Sequence, residues 1–469
     1  MNKLIPLICA ILFRTVAISS PQDTLPGSPY ETIASQLIND GLGSGQAYRM
    51  LSELTGTVGA RLSGSPQADR AIEWGRRTMT QLRFDSVWLE KLMVPRWVRG
   101  PIEEAYAEPA SGRGRMPLSV CALGGSIGTP DGPVSAEVVE VKSFEELRAM
   151  GTAARGKIIF FNRPMDRSKL NTFESYGGAV DQRGQGAVEA ARAGGVAAIV
   201  RSMTMRLDDK PHTGAMHYND SLPKIPVAAI STIDAEYLDS LLTAEKNVRV
   251  SLRLSCDTLP DVEQANVIGE IRGTEKPEEV LVVGGHLDSW DKGTGAHDDG
   301  AGCVQAIEAL RLIRSAGLRP KRTIRAVLFI NEENGLRGAA DYAERDRGDE
   351  KHILAMESDA GGFTPRGFGV STDPAIIKRD SAIVGKIAAW SYLFAPIGAD
   401  KIGAGGGGAD ISTLGRLGVP CVGLRVEGHR YFDYHHSDND TFDKVNDREL
   451  HLGASAMAIL LYVIAQEGL

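Results

Sequence analysis

The second half of the chain alternates between continuous apolar stretches and stretches with helical periodicity. Residues 280–283 and 324–330 are apolar strands, and residues 301–313 between them carry apolar side chains at helical spacing. Further strands are predicted at 353–356 and 421–426, and a closing helix at 452–464. Buried strands that alternate with helices are typical of βαβ units. The predicted fold is therefore α/β, with a mainly parallel mixed sheet flanked by helices.

The first half of the chain divides into two patterns. Residues 36–92 have apolar positions at helical spacing, whereas residues 117–256 consist of short β-rich pieces around a helix at 186–193. The predicted strands of this second stretch are 136–141, 157–161, 197–200 and 248–254. We therefore expect residues 21–116 to be the N-terminal part of a catalytic domain, 117–256 an inserted β-rich domain, and 257–469 the rest of the catalytic domain.

The N-terminus has the pattern of a signal peptide. A basic start at Lys3 precedes an apolar run from Leu4 to Phe13, and Arg14 interrupts this run before it reaches the about 20 apolar residues that span a bilayer. Residues 1–20 are therefore predicted to be the signal peptide of a secreted or periplasmic protein that has no stable membrane anchor. A buried N-terminal helix is the alternative interpretation.

Composition and charge narrow the range of partners. The chain has 469 residues, of which 42% are hydrophobic, which is typical of a globular protein with more than one domain. Its formal net charge is −8, and no dense stripe of lysine and arginine is present. The charge therefore gives no attraction for phosphate backbones, and we expect no nucleic-acid partner.

Potential metal ligands follow the predicted strands of the second half. Because the carboxyl ends of parallel strands meet at one edge of a sheet, these clusters are expected to converge on one crevice. Imidazole nitrogen and carboxylate oxygen suit zinc above all, with cobalt or manganese as substitutes, and five or more such groups favour two bridged ions. The clusters contain His286 and Asp288, then Asp298, then Glu332 and Glu333, then Asp359, and finally His435 and His436.

These motifs also carry a family resemblance. Residues 284–300, the pair Glu332-Glu333, residues 357–361 and residues 435–437 resemble the co-catalytic dizinc exopeptidases, and among them the carboxypeptidase Q group. The resemblance extends over nearly all of the mature chain, and it implies a protease-associated-type domain inserted ahead of the metal site. It also implies two zinc ions per chain and short peptides as substrates, and it favours dipeptides with free ends and a homodimer.

The resemblance implies a role for each candidate residue. His286 and Asp359 would bind one zinc ion, Glu333 and His436 the other, and Asp298 would bridge the two. Glu332 would be the general base, and the carboxylate of Asp288 would orient the His286 ring. His435 is the candidate for stabilising the oxyanion. The sequence differs from the pattern of the carboxypeptidase Q group at His297 and at Asp438-Asn439. These differences leave the substrate preference open.

Several neighbouring residues have competing interpretations. Asp299 is predicted to accept hydrogen bonds at a helix N-terminus rather than to bind metal. Asp410 is either a substrate-pocket residue or the cap of a short helix. The glycine-rich run 403–408 lacks the Lys-Ser/Thr ending of a phosphate loop, so a close backbone approach to substrate is expected there.

Other functions are weighed against hydrolysis. There are two alternatives. An acyltransferase related to the glutaminyl cyclases would hold one zinc ion per chain, and a scaffold protein would hold none. The sequence leaves carboxypeptidase, dipeptidase and aminopeptidase modes open. Cys121 and Cys256 bracket the inserted domain and are predicted to form a disulfide, whereas Cys303 and Cys421 are expected to be inert core residues.

Overall fold

The computed structural model describes residues 28–112, 114–371 and 377–469. The predicted signal peptide, residues 1–20, lies outside the described residues. The described chain contains two mixed sheets of eight strands each, and helices pack against both.

The helices of the described residues are α1 Pro29–Ser44, α2 Ala47–Glu53, α3 Pro66–Gln81, α4 Phe144–Met150, α5 Thr172–Gly177, α6 Asp181–Arg192, α7 Thr232–Ala244, α8 Ala301–Ser315, α9 Arg337–Glu344, α10 Ile377–Ala388, α11 Ser412–Arg416 and α12 Asp447–Glu467. The strands are β1 Ser86–Val98, β2 Glu103–Glu108, β3 Met116–Leu118, β4 Val120–Ala122, β5 Val134–Val141, β6 Ile158–Phe161, β7 Ala197–Arg201, β8 Val227–Ile230, β9 Arg249–Leu254, β10 Asp257–Ile271, β11 Lys276–His286, β12 Arg322–Phe329, β13 Lys351–Glu357, β14 Pro365–Ser371, β15 Lys401–Ala404 and β16 Cys421–Val426.

The first sheet has the strand order β1-β10-β12-β11-β13-β16-β14-β15. Its central strands β12, β11, β13 and β16 are parallel, and antiparallel pairings flank them on both sides. Helices α1, α2, α3, α8 and α12 cover one face of this sheet, and α9 and α11 cover the other. The predicted α/β fold with a mainly parallel mixed sheet is therefore confirmed.

Helix α12 is the longest apolar helix of the described residues. Its length and composition would allow it to cross a membrane, but 89% of its apolar window is buried inside the protein. The helix packs along α8 and α1. Its apolar character is therefore that of a core helix.

The second sheet forms the inserted domain, with the strand order β3-β2-β9-β5-β6-β7-β8-β4. Strand β2 belongs to it because Glu103–Glu108 pairs along its whole length with β9. The sheet therefore begins at Glu103, ahead of the expected boundary at residue 117. The expected boundary lies too far along the chain, because this six-residue strand is too short to be recognised within the surrounding glycine- and proline-rich sequence.

The helical interpretation of residues 36–92 is wrong at its end. Helices α1 to α3 occupy its first part, but Ser86–Val98 is an antiparallel partner of β10 at the edge of the first sheet. Strands β1 and β10 are both long, and what identifies each as a strand is its pairing with the other in the folded protein. The local pattern of apolar and polar residues does not reveal pairing between distant segments, so it did not predict these strands.

The predicted disulfide between Cys121 and Cys256 is wrong. Both cysteines are free and buried. Cys121 lies on β4 in the apolar layer under α4 and α6, whereas Cys256 belongs to the layer on the opposite face, with α7. The two ends of the inserted domain are close in space, but the two side chains point into different cores.

Candidate metal centre and active site

The candidate residues meet at one edge of the first sheet. His286 is the last residue of β11, Glu332 and Glu333 follow β12, and Asp359 follows β13. Strands β12, β11 and β13 are parallel neighbours, so their carboxyl ends open onto the same crevice. Asp298 enters the crevice from the segment before α8.

Two groups of potential ligands share the carboxylate of Asp298. Its Oδ1 lies 3.1 Å from His286 Nε2, which is also 3.6 Å from Asp359 Oδ1. Its Oδ2 lies 3.3 Å from His436 Nε2, which is 3.1 Å from Glu333 Oε2. The structure therefore brings together all five residues that were expected to bind metal.

His435 also offers a potential ligand atom beside the second group, because a ring nitrogen lies within 4.8 Å of ligand atoms of Asp298 and His436. Its ring stacks on that of His436 with 3.4 Å between centroids, and its Nε2 is 3.8 Å from Asp298 Oδ2. Burial is the main cause that lowers the pKa of His435 to about 3, so the ring is neutral at physiological pH. Its Nδ1 is buried and has no hydrogen-bond partner.

Asp288 orients His286 differently from the expectation. The Nδ1 of His286 lies 3.0 Å from the backbone carbonyl oxygen of Asp288, which fixes the ring with Nε2 toward the crevice. The Asp288 carboxylate instead accepts hydrogen bonds from the backbone N–H groups of Glu332, at 3.1 Å, and Glu333, at 3.4 Å. Its side chain therefore positions the turn after β12, and the expected contact with the imidazole is wrong.

His436 is oriented by the inserted domain. Its Nδ1 faces the backbone carbonyl oxygen of Thr213 at 3.3 Å, and the N–H of Thr213 donates to the carbonyl of His436 at 2.9 Å. This pair of contacts leaves Nε2 free to face Asp298 and Glu333. Thr213 was missed by sequence reasoning because a backbone contact leaves no signature in the residue type.

The segment that carries Asp298 is fixed by buried polar groups. Asp440 accepts hydrogen bonds from the backbone N–H groups of His297, at 2.7 Å, and Asp298, at 3.0 Å. Asp299 accepts from the N–H of Gly302 at 2.9 Å in the first turn of α8, as predicted for a helix N-terminus, and also from the N–H of His286. The peptide bond between Asp298 and Asp299 is cis.

Arg61 holds the segment between β11 and α8 from below. The side chain is fully buried, and it donates to the backbone carbonyls of Leu287 at 2.5 Å, Thr294 at 2.7 Å and Gly295 at 3.0 Å. Sequence reasoning did not select Arg61, because its partners are backbone atoms more than 200 positions away. Arg61 lies in the loop between α2 and α3, and it therefore connects that loop to the end of β11, which carries His286.

The crevice concentrates buried acidic groups. Burial is the main cause that raises the pKa of Glu332 to about 8, and the charges of Asp359, Asp298 and Asp288 add to the effect. Burial likewise raises the pKa of Glu333 well above its usual value, with Asp298 as the next cause. Burial opposes ionisation of Asp298 too, but the hydrogen bond from His286 holds its pKa below the usual range.

These properties fit a divalent cation. The Oδ2 atom of Asp298 is buried without a hydrogen-bond partner, although it lies between two histidine rings. Clustered carboxylates are costly to bury when they are ionised, and a cation removes that cost. Histidine nitrogen with carboxylate oxygen is a donor set that zinc prefers. The residues present therefore fit zinc.

Asp410 lies deeper than the crevice. It is fully buried, and its carboxylate makes no cap contact with α11, so the helix-cap alternative is wrong. The Glu357 carboxylate lies beside it and accepts from the backbone N–H groups of Asp410 and Ile411. A Cβ at Gly408 would lie 2.1 Å from Glu357 Oε2, so this glycine accommodates a protein carboxylate rather than a substrate.

The two departures from the carboxypeptidase Q group have structural roles. The ring of His297 stacks on Phe363 with 4.2 Å between centroids, and its Nδ1 accepts from the N–H of Gly362. Asn439 donates to Asp208 of the inserted domain at 2.9 Å, and Asp438 accepts from the N–H of Gly293. These contacts join loops around the crevice.

Comparison with known proteins supports the same assignment. The model of peptidase family M28 matches residues 266–461. Carboxypeptidase Q of Mus musculus is 38% identical over 440 residues, which cover 93% of this chain and 90% of that protein. The solved structure of a peptidase M28 precursor from Shewanella amazonensis is 36% identical with a TM-score of 0.85, covering 94% of this chain and 97% of that one.

A more distant solved structure shares the fold. The zinc aminopeptidase of Bacillus subtilis is 20% identical, with a TM-score of 0.65 over 90% of this chain and 96% of that one. The chain therefore belongs to peptidase family M28, within its carboxypeptidase Q-like members, and is a zinc-dependent metallopeptidase.

Proposed function

We propose that this protein is an exported exopeptidase that hydrolyses dipeptides or short peptides at a site holding two zinc ions. The observation that carries the proposal is the position of Asp298, whose two oxygens face two different histidines at 3.1 and 3.3 Å. A carboxylate so placed can bridge two cations about 3.5 to 4 Å apart. A single-zinc acyltransferase would have no use for this second set of ligands.

Each zinc ion takes its own ligands in this proposal. His286 and Asp359 would hold one ion, Glu333 and His436 would hold the other, and Asp298 would contact both. Asp288 O and Thr213 O accept the Nδ1 protons of the two histidines, which leaves Nε2 of each ring unprotonated for the metal. Cobalt or manganese would bind the same donors as substitutes.

The chain supplies the proton transfers of peptide hydrolysis. Bound zinc would act as a Lewis acid and lower the pKa of the attacking water. Glu332 is half-buried at the crevice and is not one of the close histidine partners, so its carboxylate is available to take a proton from that water and give it to the leaving amine. The neutral ring of His435 is assigned to donate a hydrogen bond to the oxyanion.

The proposal includes export and assembly. The basic start and apolar run of residues 1–20 support secretion or a periplasmic location without a stable membrane anchor. The substrate is a short peptide, no nucleic-acid partner is expected, and a homodimer follows the family preference. Light scattering of the purified protein tests the dimer.

Metal analysis combined with peptide kinetics tests the function. We expect two zinc ions per chain after dialysis and hydrolysis of unblocked dipeptides that stops with a chelator. One ion per chain with cyclisation of N-terminal glutamine would support the acyltransferase instead. A purified, zinc-loaded protein that hydrolyses no member of a dipeptide and blocked-peptide library would overturn the proposal.

A further inference from the structure

A cation from the inserted domain reaches the metal centre. Arg183 lies in the first turn of α6, and its Nη1 is 3.4 Å from His436 Nδ1. Its guanidinium carbon lies 5.6 Å from the centroid of the Tyr176 ring. A Cβ at Gly214 would lie 2.5 Å from the same carbon, so the absence of a side chain there makes room for the guanidinium.

The charge of Arg183 has no anionic partner among the described residues. The ion pairs of the described residues do not include it, its Nε is buried without a hydrogen-bond partner, and its side-chain hydrogen bond goes to the neutral phenol of Tyr176. In the proposed function His436 binds zinc through Nε2, so its Nδ1 carries the proton that faces the Thr213 carbonyl and does not accept from Arg183. Arginine presents five donors in a planar fork, which suits a carboxylate.

The position of Arg183 is next to the reacting centre. One imidazole ring separates it from the carboxylates of Asp298 and Glu333. Tyr176 contacts both sides of this arrangement, since its ring lies 5.6 Å from the guanidinium carbon and 5.5 Å from the ring of His435. The guanidinium therefore lies on the Nδ1 side of His436, one ring away from the metal ligands.

We propose that Arg183 binds the free α-carboxylate of the substrate residue that follows the scissile bond. The inference rests on the proposed function and selects one of its modes. A residue extends the chain by roughly 3.3 to 3.6 Å, so the carboxylate of the departing residue lies close to the reacting carbonyl and within reach of a cation beside His436. A substrate that continues beyond that residue would place a neutral amide there.

The consequence is a preference for dipeptides and for removal of C-terminal residues. In the proposed function the crevice carboxylates and histidines bind the metal ions, so a substrate carboxylate needs a cation outside that ligand set. Arg183 supplies that cation from the inserted domain. The domain therefore contributes to substrate selection as well as to the position of His436.

The test compares a dipeptide with its C-terminal amide in wild-type enzyme and in Arg183→Gln. We expect wild type to prefer the free acid, and the variant to lose about ten- to a hundredfold in kcat/KM for the acid, the usual effect of a hydrogen bond to a charged group. Turnover of the amide should stay near the wild-type level. Arg192→Gln on the same helix, which removes an exposed guanidinium from Glu189 and leaves that glutamate paired with Arg148, is the matched control and should keep the preference.

Zinc content and thermal unfolding of both variants separate binding from structure. Equal losses for acid and amide, or loss of zinc from Arg183→Gln, would assign the arginine to support of His436 and overturn the inference. An unchanged preference in Arg183→Gln would overturn it as well. Failure of the proposed function looks different, because wild-type enzyme would then hydrolyse neither compound.

Discussion

At the scale of single residues, Glu332 and Glu333 are adjacent but have different surroundings. Glu333 is buried, with Oε2 at 3.1 Å from His436 and Oε1 accepting from the N–H of Trp290. Glu332 is half-buried, and its contact with Asp288 goes through its backbone N–H. Successive residues after a strand point in different directions, so only one of the two carboxylates can serve as a ligand here.

Replacing each glutamate with glutamine should therefore have different effects. Glu332→Gln should keep both zinc ions and the fold while kcat falls by the ~10² to 10⁴ typical of a lost general base. Glu333→Gln should lose zinc as well as activity, because an amide is a poorer ligand for a cation than a carboxylate is. Paired metal analysis and dipeptide kinetics measure both. A Glu332→Gln protein that loses zinc, or that keeps near wild-type turnover, would contradict the division of roles.

The shared carboxylate gives a second prediction at this scale. Asp298→Asn should weaken both metal ions together and remove most activity, because a neutral amide cannot bridge two cations. Dialysis followed by metal analysis measures the loss, and Asp443→Asn, which changes an exposed carboxylate paired with Lys444, serves as the comparison. Two tightly held ions in Asp298→Asn would mean that Asp298 is not the bridge.

At the scale of elements, the segment between β11 and α8 follows directly on His286, carries Asp298, and has little regular structure. Its shape depends on Asp440 at one side and Arg61 at the other. Both residues bind backbone groups, so they fix the path of the chain and, through it, the separation of His286 and Asp298. The segment is therefore held from outside rather than by its own local interactions.

Removing the Arg61 side chain tests this support. Arg61→Met leaves three buried carbonyls without their donor, at about 1 to 3 kcal/mol for each unsatisfied group, and should lower the free energy of unfolding by several kcal/mol. Zinc affinity should fall by about 10- to 100-fold, as for other groups that orient ligands. Arg76→Met, which removes an exposed pair with Glu73, should change stability by less than about 1 kcal/mol. Chemical denaturation and zinc titration decide, and an Arg61→Met protein with wild-type zinc affinity would refute the supporting role.

The sequence predicted those parts of the fold and site that local patterns determine. Strands β11, β12, β13 and β16 are apolar runs, and the ligands follow them directly, so both were recognisable from the sequence. Strands β1 and β10 were missed because their stability comes from pairing with each other across a long sequence separation. Thr213 contacts His436 through its backbone carbonyl, and Arg61 donates to backbone carbonyls, so neither role could be predicted from the residue type. His286 faces the backbone carbonyl of Asp288, whereas the residue type suggested a contact with the carboxylate.

At the scale of the whole molecule, the inserted domain and the catalytic domain share cores. Trp290, which follows β11, packs in the same apolar layer as α7, and Phe363 and Tyr431 pack with α4 and α6. Arg99 adds a buried ion pair with Asp291 at 2.5 Å and a hydrogen bond to Thr213 Oγ1 at 3.2 Å. The Thr213 loop that orients His436 is thus fixed to the strand end that carries His286. The active site is built jointly by both domains.

The acidic crevice should make stability depend on metal and pH together. Burial is the main cause that raises the pKa of Glu332 and Glu357 to about 8 and that of Asp440 to about 7 in the metal-free protein, against ordinary values of about 4 in the unfolded chain. The folded state therefore holds protons that the unfolded state has already released. Its stability falls as pH rises, by on the order of 1 kcal/mol per pH unit for each proton retained.

The sign is clearest between pH 6.5 and 8. Burial lowers the pKa of His212 and His297 to about 4 and that of His435 to about 3. These rings therefore reduce the stability of the folded protein only below about pH 6.5, where the same rings take up protons in the unfolded chain. Above that value the carboxylates dominate, and His286, whose pKa is raised by Asp298 and Asp359 against the effect of burial, changes stability in the same direction. We expect the Tm of chelator-treated protein to fall across this range, while zinc-loaded protein stays higher and more nearly constant, because the charge of bound ions lowers the pKa of the carboxylates around them. Thermal unfolding with and without zinc measures both curves, and a metal-free Tm that rises from pH 6.5 to 8 would show that these carboxylates are not protonated in the folded state.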